Sequence, residues 1–172
     1  MYLDREATAK IAQQYFQTDK ALVPLGWGIS GSVYLSPDLL TAVKVHYSEL
    51  SFRQELLVYR RLAALKITEL HGLTVPKLRA AHADVKLLQM DFVSAPYLLD
   101  FAGAMFDPPD FPDDKMEHWH AEIESNFGPN AHIVYAVYNT LSQHGIYYVD
   151  FRPSNLNLAG LPGLKPFNAT ED

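Results

Sequence analysis

"LGWGISGSVYLSPDLLTAVKVHY", residues 25–47, is the stretch from which the rest of the chain is read. Gly26, Gly28 and Gly31 fit G-x-G-x-x-G, and Val33 follows two positions on. Glycines at this spacing let backbone amides come close to phosphate oxygens. A dinucleotide-binding version of the motif runs strand, turn, helix. Here β-branched and aromatic residues flank the glycines on both sides, and Gly, Pro and Asp break the run. The pattern predicts three short strands over 22–27, 31–36 and 40–47. The dinucleotide fold is therefore disfavoured, and a plain hairpin turn is the simpler alternative. Lys44 stands in "TAVKV", 41–45, where Val43 and Val45 face the other way. A buried lysine needs a partner. Either Lys44 points to solvent from a one-sided sheet, or it meets an acid.

The next segment offers that acid. Residues 49–65, "ELSFRQELLVYRRLAAL", read as a helix whose apolar stripe is Phe52, Leu56, Tyr59 and Ala63. Glu55 lies on the same face, where a carboxylate is unexpected unless a cation meets it. A Lys44–Glu55 pair would satisfy both groups. Glu49 is the alternative partner, though at the helix start it suits the dipole better. Upstream, residues 3–17 read as a helix with Ile11, Tyr15 and Phe16 on its apolar face. Downstream, "VPKLRAAHADVKLLQMDFV", 75–93, reads as two strands with a turn at Ala83–Asp84. The first half is thus expected to be a five-stranded antiparallel sheet interrupted by one helix.

The second half reads differently. "DPPDFPDD", 107–114, is an acidic loop leading into a helix, with Asp113 or Asp114 as its cap. Residues 131–145 form a further helix with Val134, Val137, Tyr138 and Leu141 as its stripe and Gly145 as its stop. "YYVDFRPSNLNL", 147–158, follows, with Asp150 and Asn155 set between a helix and a strand.

Composition bounds the function. The chain has 172 residues, 48% of them hydrophobic, enough for one domain or a two-lobed unit with a core. A net charge of −6 counts against nucleic acid as the partner. There is no cysteine, so disulfides and thiolate metal sites are excluded. No apolar run approaches the ~18 residues of a membrane span. The N-terminus lacks an apolar signal core, so a cytoplasmic protein is expected. His118 and His120 point to different faces of a helix, which makes a zinc site there a poor reading. His46 and His144 read as structural. The acids around 107–124 read as a solvated face, or as an attractor for a cationic substrate.

A Gly-rich hairpin, a Val-x-Lys strand, a helix with a Glu and an Asp-x-x-x-x-Asn loop occur here in that order. Together they resemble the protein-kinase-like superfamily, and "VDFRPSNLNL" resembles its catalytic loop. The resemblance spans roughly residues 20–170 and implies an α+β, bilobal fold. Its parts would be an N-terminal helix (1–18), an N-lobe (19–93) with a five-stranded antiparallel sheet and one helix, and a reduced helical C-lobe (94–172). It implies ATP and Mg2+ as cofactors and a protein or small-molecule hydroxyl as acceptor. Gly26, Gly28, Gly31 and Val33 would cover the nucleotide, and Lys44, oriented by Glu55, would hold its phosphates. Met90 would guard the adenine pocket, with Asp91–Val93 offering backbone groups to the base. Asp150 would be the base, Arg152 would neutralise charge on the phosphoryl group, and Asn155 would ligate the metal.

The chain departs from the family at two places. Tyr148 and Val149 replace the His and Arg before the catalytic Asp. No Asp-Phe-Gly follows either, and Asn168 stands near the position of the metal-binding Asp, with Glu171 or Asp172 as substitutes. An amide is a poorer magnesium ligand than a carboxylate. A pseudokinase that binds nucleotide or protein without transfer is therefore the alternative to an enzyme. A protein partner completing the short C-lobe is a third reading.

Overall fold

The computed structural model of the chain describes residues 3–167. Its first elements are α1 (Arg5–Tyr15), β1 (Pro24–Trp27), β2 (Gly31–Leu35), β3 (Thr41–His46), α2 (Glu49–Ala64), β4 (Glu69–Leu70) and β5 (Leu73–Thr74). There follow β6 (Leu78–His82), β7 (Leu87–Asp91), β8 (Tyr97–Leu98), α3 (Asp113–Phe127), α4 (Ala131–Gln143) and β9 (Leu156–Asn157). They fall into two compact units. One holds residues up to Thr68 with Pro76–Val93, the other Glu69–Val75 with Ser94 onward.

The first unit is a five-stranded antiparallel sheet in the order β1-β2-β3-β7-β6. With α2 between β3 and the β6–β7 hairpin, this is the expected α+β arrangement of a five-stranded antiparallel sheet interrupted by one helix. Asp4 caps α1 by accepting the Ala7 N–H at 2.8 Å. Ser48 caps α2 by accepting the Ser51 N–H at 3.2 Å. Each helix covers one face of the sheet. Ala12 of α1 packs with Tyr34, Val43, Val45 and Leu87, joined by Leu3, Ile11 and Tyr15. α2 buries Phe52, Glu55, Leu56 and Tyr59 on the other side. Cover on both faces explains why β3 is buried from Ala42 to His46 rather than alternating in and out.

The second unit holds a short four-stranded sheet, β4-β5-β8-β9, in which β5 and β8 run parallel. The expected reduced helical lobe lacks this sheet. Strands of two residues are too short to show a period of two in sequence. α3 buries Trp119, Ile123 and Phe127, and α4 buries Val134, Val137 and Leu141. Asp113 and Asp114 do not cap α3 through their side chains. Pro112 is the cap residue, and the two acids lie in the first turn, where the dipole favours them. α4 ends as its glycine predicts. Gly145 has φ 67 and donates its N–H to Ser142 O at 2.9 Å, while Ile146 N–H reaches Leu141 O at 3.0 Å. At the start of α4, Asn130 exchanges two hydrogen bonds with the Lys165 backbone, both 2.9 Å. Among the described residues no helix is long and apolar enough to cross a membrane.

Candidate functional site

In the first unit β3 presents Lys44 and His46 to α2. Lys44 Nζ lies 2.7 Å from Glu55 Oε2, with the two side chains 4% and 1% exposed. His46 Nε2 lies 2.8 Å from the same oxygen, and its ring is fully buried. The solvent-facing alternative for Lys44 therefore fails, because the sheet is covered on both sides. Glu49 instead forms an exposed pair with Arg53. Burial pushes the Glu55 carboxyl up, but the charge of Lys44 and the hydrogen bond from His46 more than offset it and hold it at about 2. Glu55 Oε1 is buried without a hydrogen-bond partner. His46, expected to be structural, is buried and hydrogen-bonded beside this pair as its third member. The available signal was the strand period, which puts residue 46 on the face of residue 44.

The glycine turn is a tight hairpin, closed by Gly28 N–H to Gly31 O at 3.0 Å. Its three glycines differ. A Cβ on Gly26 or Gly28 would meet nothing within 4 Å, whereas one on Gly31 would lie 2.4 Å from the Val45 carbonyl oxygen. Gly31 is thus demanded by close approach of β3, while Gly26 and Gly28 border open space. Val33 sits opposite Lys44 in the β2–β3 register. Met90 sits opposite Ala42, is buried, and accepts the Tyr59 hydroxyl at 3.5 Å. At the following positions Asp91 is held by Arg79 and donates its N–H to Lys77 O. Phe92 donates its N–H to Leu40 O. Two of the three amides of Asp91–Val93 are therefore engaged within the unit.

In the second unit the loop from Tyr148 to Asn155 is fixed at several points. The Tyr148 ring is fully buried, edge-on to Phe101 and Phe151, and its hydroxyl donates to Asp150 O at 2.8 Å. Trp119 Nε1 donates to Val149 O at 2.8 Å. Asn155 Nδ2 donates to Asp150 O at 3.0 Å and to Asp150 Oδ2 at 3.2 Å. Its Oδ1 accepts the Ser154 hydroxyl at 3.3 Å. Arg152 Nε lies 2.8 Å from Asp150 Oδ1, with the two side chains 66% and 42% exposed. Both oxygens of Asp150 are thus engaged. A cleft of about 200 Å³ opens at this acid, lined by Trp119, Glu122, Ile123, Asn126 and Arg152. The lining from α3 escaped the sequence reading, because α3 and the loop lie about thirty positions apart in the chain.

The described residues do not by themselves fit a protein-held magnesium ion, which needs octahedral oxygen ligation. Among them no group of three or more His, Asp or Glu residues is placed to hold a metal. Asn155 offers one amide oxygen. Asn168, with its possible substitutes Glu171 and Asp172, lies outside the described residues.

No protein-family model matches this chain, and no curated protein matches it in sequence. Among solved structures, the streptomycin–ATP–APH(2″)-IIa ternary complex aligns over 74% of this chain and 36% of its own, with 15% identity and a TM-score of 0.37. The gentamicin–APH(2″)-IIa complex aligns over the same shares, with 15% identity and a TM-score of 0.39. This chain therefore spans about a third of the length of those proteins, 36% in each case.

Proposed function

We propose that the chain is an ATP-dependent phosphotransferase of the kinase-like kind, acting on a hydroxyl of a protein or small molecule. The observation that carries this reading is the buried Lys44–Glu55 pair. A buried ion pair is a poor device for stability, since well-packed apolar residues of similar volume often do as well or better. A charged group kept on an otherwise apolar face therefore points to use. In this reading Lys44 meets the nucleotide phosphates, with Gly26 and Gly28 over them and Met90–Val93 beside the base. Asp150 takes the proton of the acceptor hydroxyl as the new O–P bond forms and the bond to ADP breaks. The acceptor lies in the cleft beside Asp150. An exposed pair such as Asp150–Arg152 is worth about 0–1 kcal/mol, so an acceptor hydroxyl can replace Arg152 on the carboxylate at little cost. Magnesium accompanies ATP in such reactions and neutralises phosphate charge. An ATP-consuming reading goes with a cytoplasmic setting.

A second reading, a nucleotide-binding or protein-interaction module without transfer, is favoured by one observation. Both carboxylate oxygens of Asp150 are occupied by Arg152 and Asn155. The two readings separate in one experiment. ATP with magnesium is expected to raise the thermal midpoint of the parent and not of Lys44→Met. A turnover of ATP that Asp150→Asn abolishes supports the enzyme. Binding without such turnover leaves the module, and no binding defeats the enzyme and leaves only the protein-interaction form of the module.

A further inference from the structure

The mechanism sketched above uses Lys44 and Glu55 and leaves His46 without a task. His46 is nevertheless the third member of the cluster. It ends β3, its ring is fully buried, and its Nε2 shares Glu55 Oε2 with Lys44. An ionised carboxylate only accepts, so Nε2 must be the donor in this contact. On the other edge, Nδ1 faces Lys86 O at 3.2 Å, and the His46 N–H donates to the same carbonyl at 2.9 Å. A carbonyl also only accepts. An imidazolium satisfies both contacts, while a neutral ring satisfies one of them. The ring packs edge-on to Phe52 of α2, with centroids 5.7 Å apart. Its backbone is fixed too, since Gly31 stands opposite it in the β2–β3 register. A Cβ on Gly31 would lie 3.0 Å from His46 Cα. The donor is therefore held from the backbone, the Lys86 carbonyl and the Phe52 ring at once.

We propose that His46 is a positioning residue: it grips the same Glu55 oxygen as Lys44, fixes the carboxylate rotamer, and so sets where the Lys44 ammonium meets a nucleotide phosphate. The last step rests on the nucleotide-binding reading; the grip on Glu55 does not. A lone lysine holding a lone glutamate leaves the carboxylate free to turn about its last bond. A second donor on the same oxygen removes that freedom. The orphaned Glu55 Oε1 marks the same constraint, for the carboxylate keeps both donors on Oε2 while its other oxygen has none.

The test compares three variants of the full chain. His46→Phe keeps the ring volume and the contact with Phe52 but removes the donor. His46→Gln restores a donor long enough to reach Glu55. His46→Asn keeps a donor for the Lys86 carbonyl but is too short for Glu55, and it carries the comparison if His46→Phe does not fold. The first readout needs no nucleotide. It follows the titration of the Glu55 carboxyl carbon by NMR, a group that Lys44 and His46 hold well below the usual carboxylate range. That carboxyl is expected to titrate higher in His46→Phe and His46→Asn, and to return toward the parent in His46→Gln. The second readout is the dissociation constant for ATP with magnesium. It is expected to weaken about tenfold in His46→Phe, the loss of one charge-assisted hydrogen bond, and to recover in His46→Gln. An unmoved Glu55 titration in His46→Phe and His46→Asn overturns the proposal, whatever happens to affinity. A shifted titration with unchanged ATP affinity overturns its final step. If the parent binds no nucleotide while the titration still shifts, the nucleotide reading falls and the grip of His46 on Glu55 stands.

Discussion

The Lys44–Glu55 and Asp150–Arg152 pairs have nearly equal lengths, 2.7 and 2.8 Å, in opposite surroundings. The first is enclosed between β3 and α2, with both side chains under 5% exposed. The second stands at the mouth of a cleft, with both partners more than 40% exposed. The same two kinds of charge therefore have different jobs. The buried pair is rigid, its carboxyl held far below the usual range, and its disruption strands a charge. The open pair is exchangeable, because water competes for both partners. One belongs to a frame, the other to a place where something is expected to arrive.

Five measurements break or sharpen this contrast. The largest effect is expected from Glu55→Ala, which removes the carboxylate that Lys44 and His46 share. Removing one partner of a buried pair costs about 3–5 kcal/mol, to be read as a fall in the urea midpoint. A near-neutral result would mean that the cluster is hydrated. The same carboxyl sets an acid limb. Its folded pKa, about 2, lies below the ordinary value of 4.5. The stability it contributes is complete above about pH 4.5 and is lost as the pH falls towards 2. Glu55→Gln is expected to flatten unfolding free energy across that window.

Gly31→Ala comes next. Its added methyl meets the Val45 carbonyl, and such overpacking costs about 1–3 kcal/mol. Gly26→Ala, with open space around it, is expected to leave the thermal midpoint close to that of the parent. Equal shifts for the two would erase the distinction drawn between these glycines. Asn155→Ala removes two hydrogen bonds to Asp150 and is expected to cost about 1–2 kcal/mol in chemical denaturation. The smallest effect is expected from Arg152→Ala, at most about 1 kcal/mol. A larger loss would show that the Asp150–Arg152 pair is part of the frame after all.

Much of the first unit was legible because its signals are periodic. The alternation around Lys44, the stripe of α2 and the turn at Ala83–Asp84 each mark an element within a short window. Lys44 and Glu55 could be matched because each breaks an apolar face, and two such breaks call for each other. His46 broke no rule that a sequence displays, since a histidine at a strand end is ordinary. Its role came from sharing one oxygen with Lys44. The second unit was harder to read. Its two-residue strands carry no period, and Trp119 reaches the Asp150 loop from a distant helix. Asp113 and Asp114 had the right chemistry for a cap, but Pro112 took the position.

By itself the sequence determined the order of elements in the first unit and the two buried helix faces, and it offered Glu55 as a partner for Lys44. These follow from local periodicity and from the high cost of burying an unpaired charge. Only the tertiary structure decided that the approach of β3 leaves no room for a side chain at Gly31. It also decided that His46 joins the acid, and that Asp150 rests between Arg152 and Asn155. Each of those depends on distances between backbones that pairing and packing set, and no residue type states such a distance.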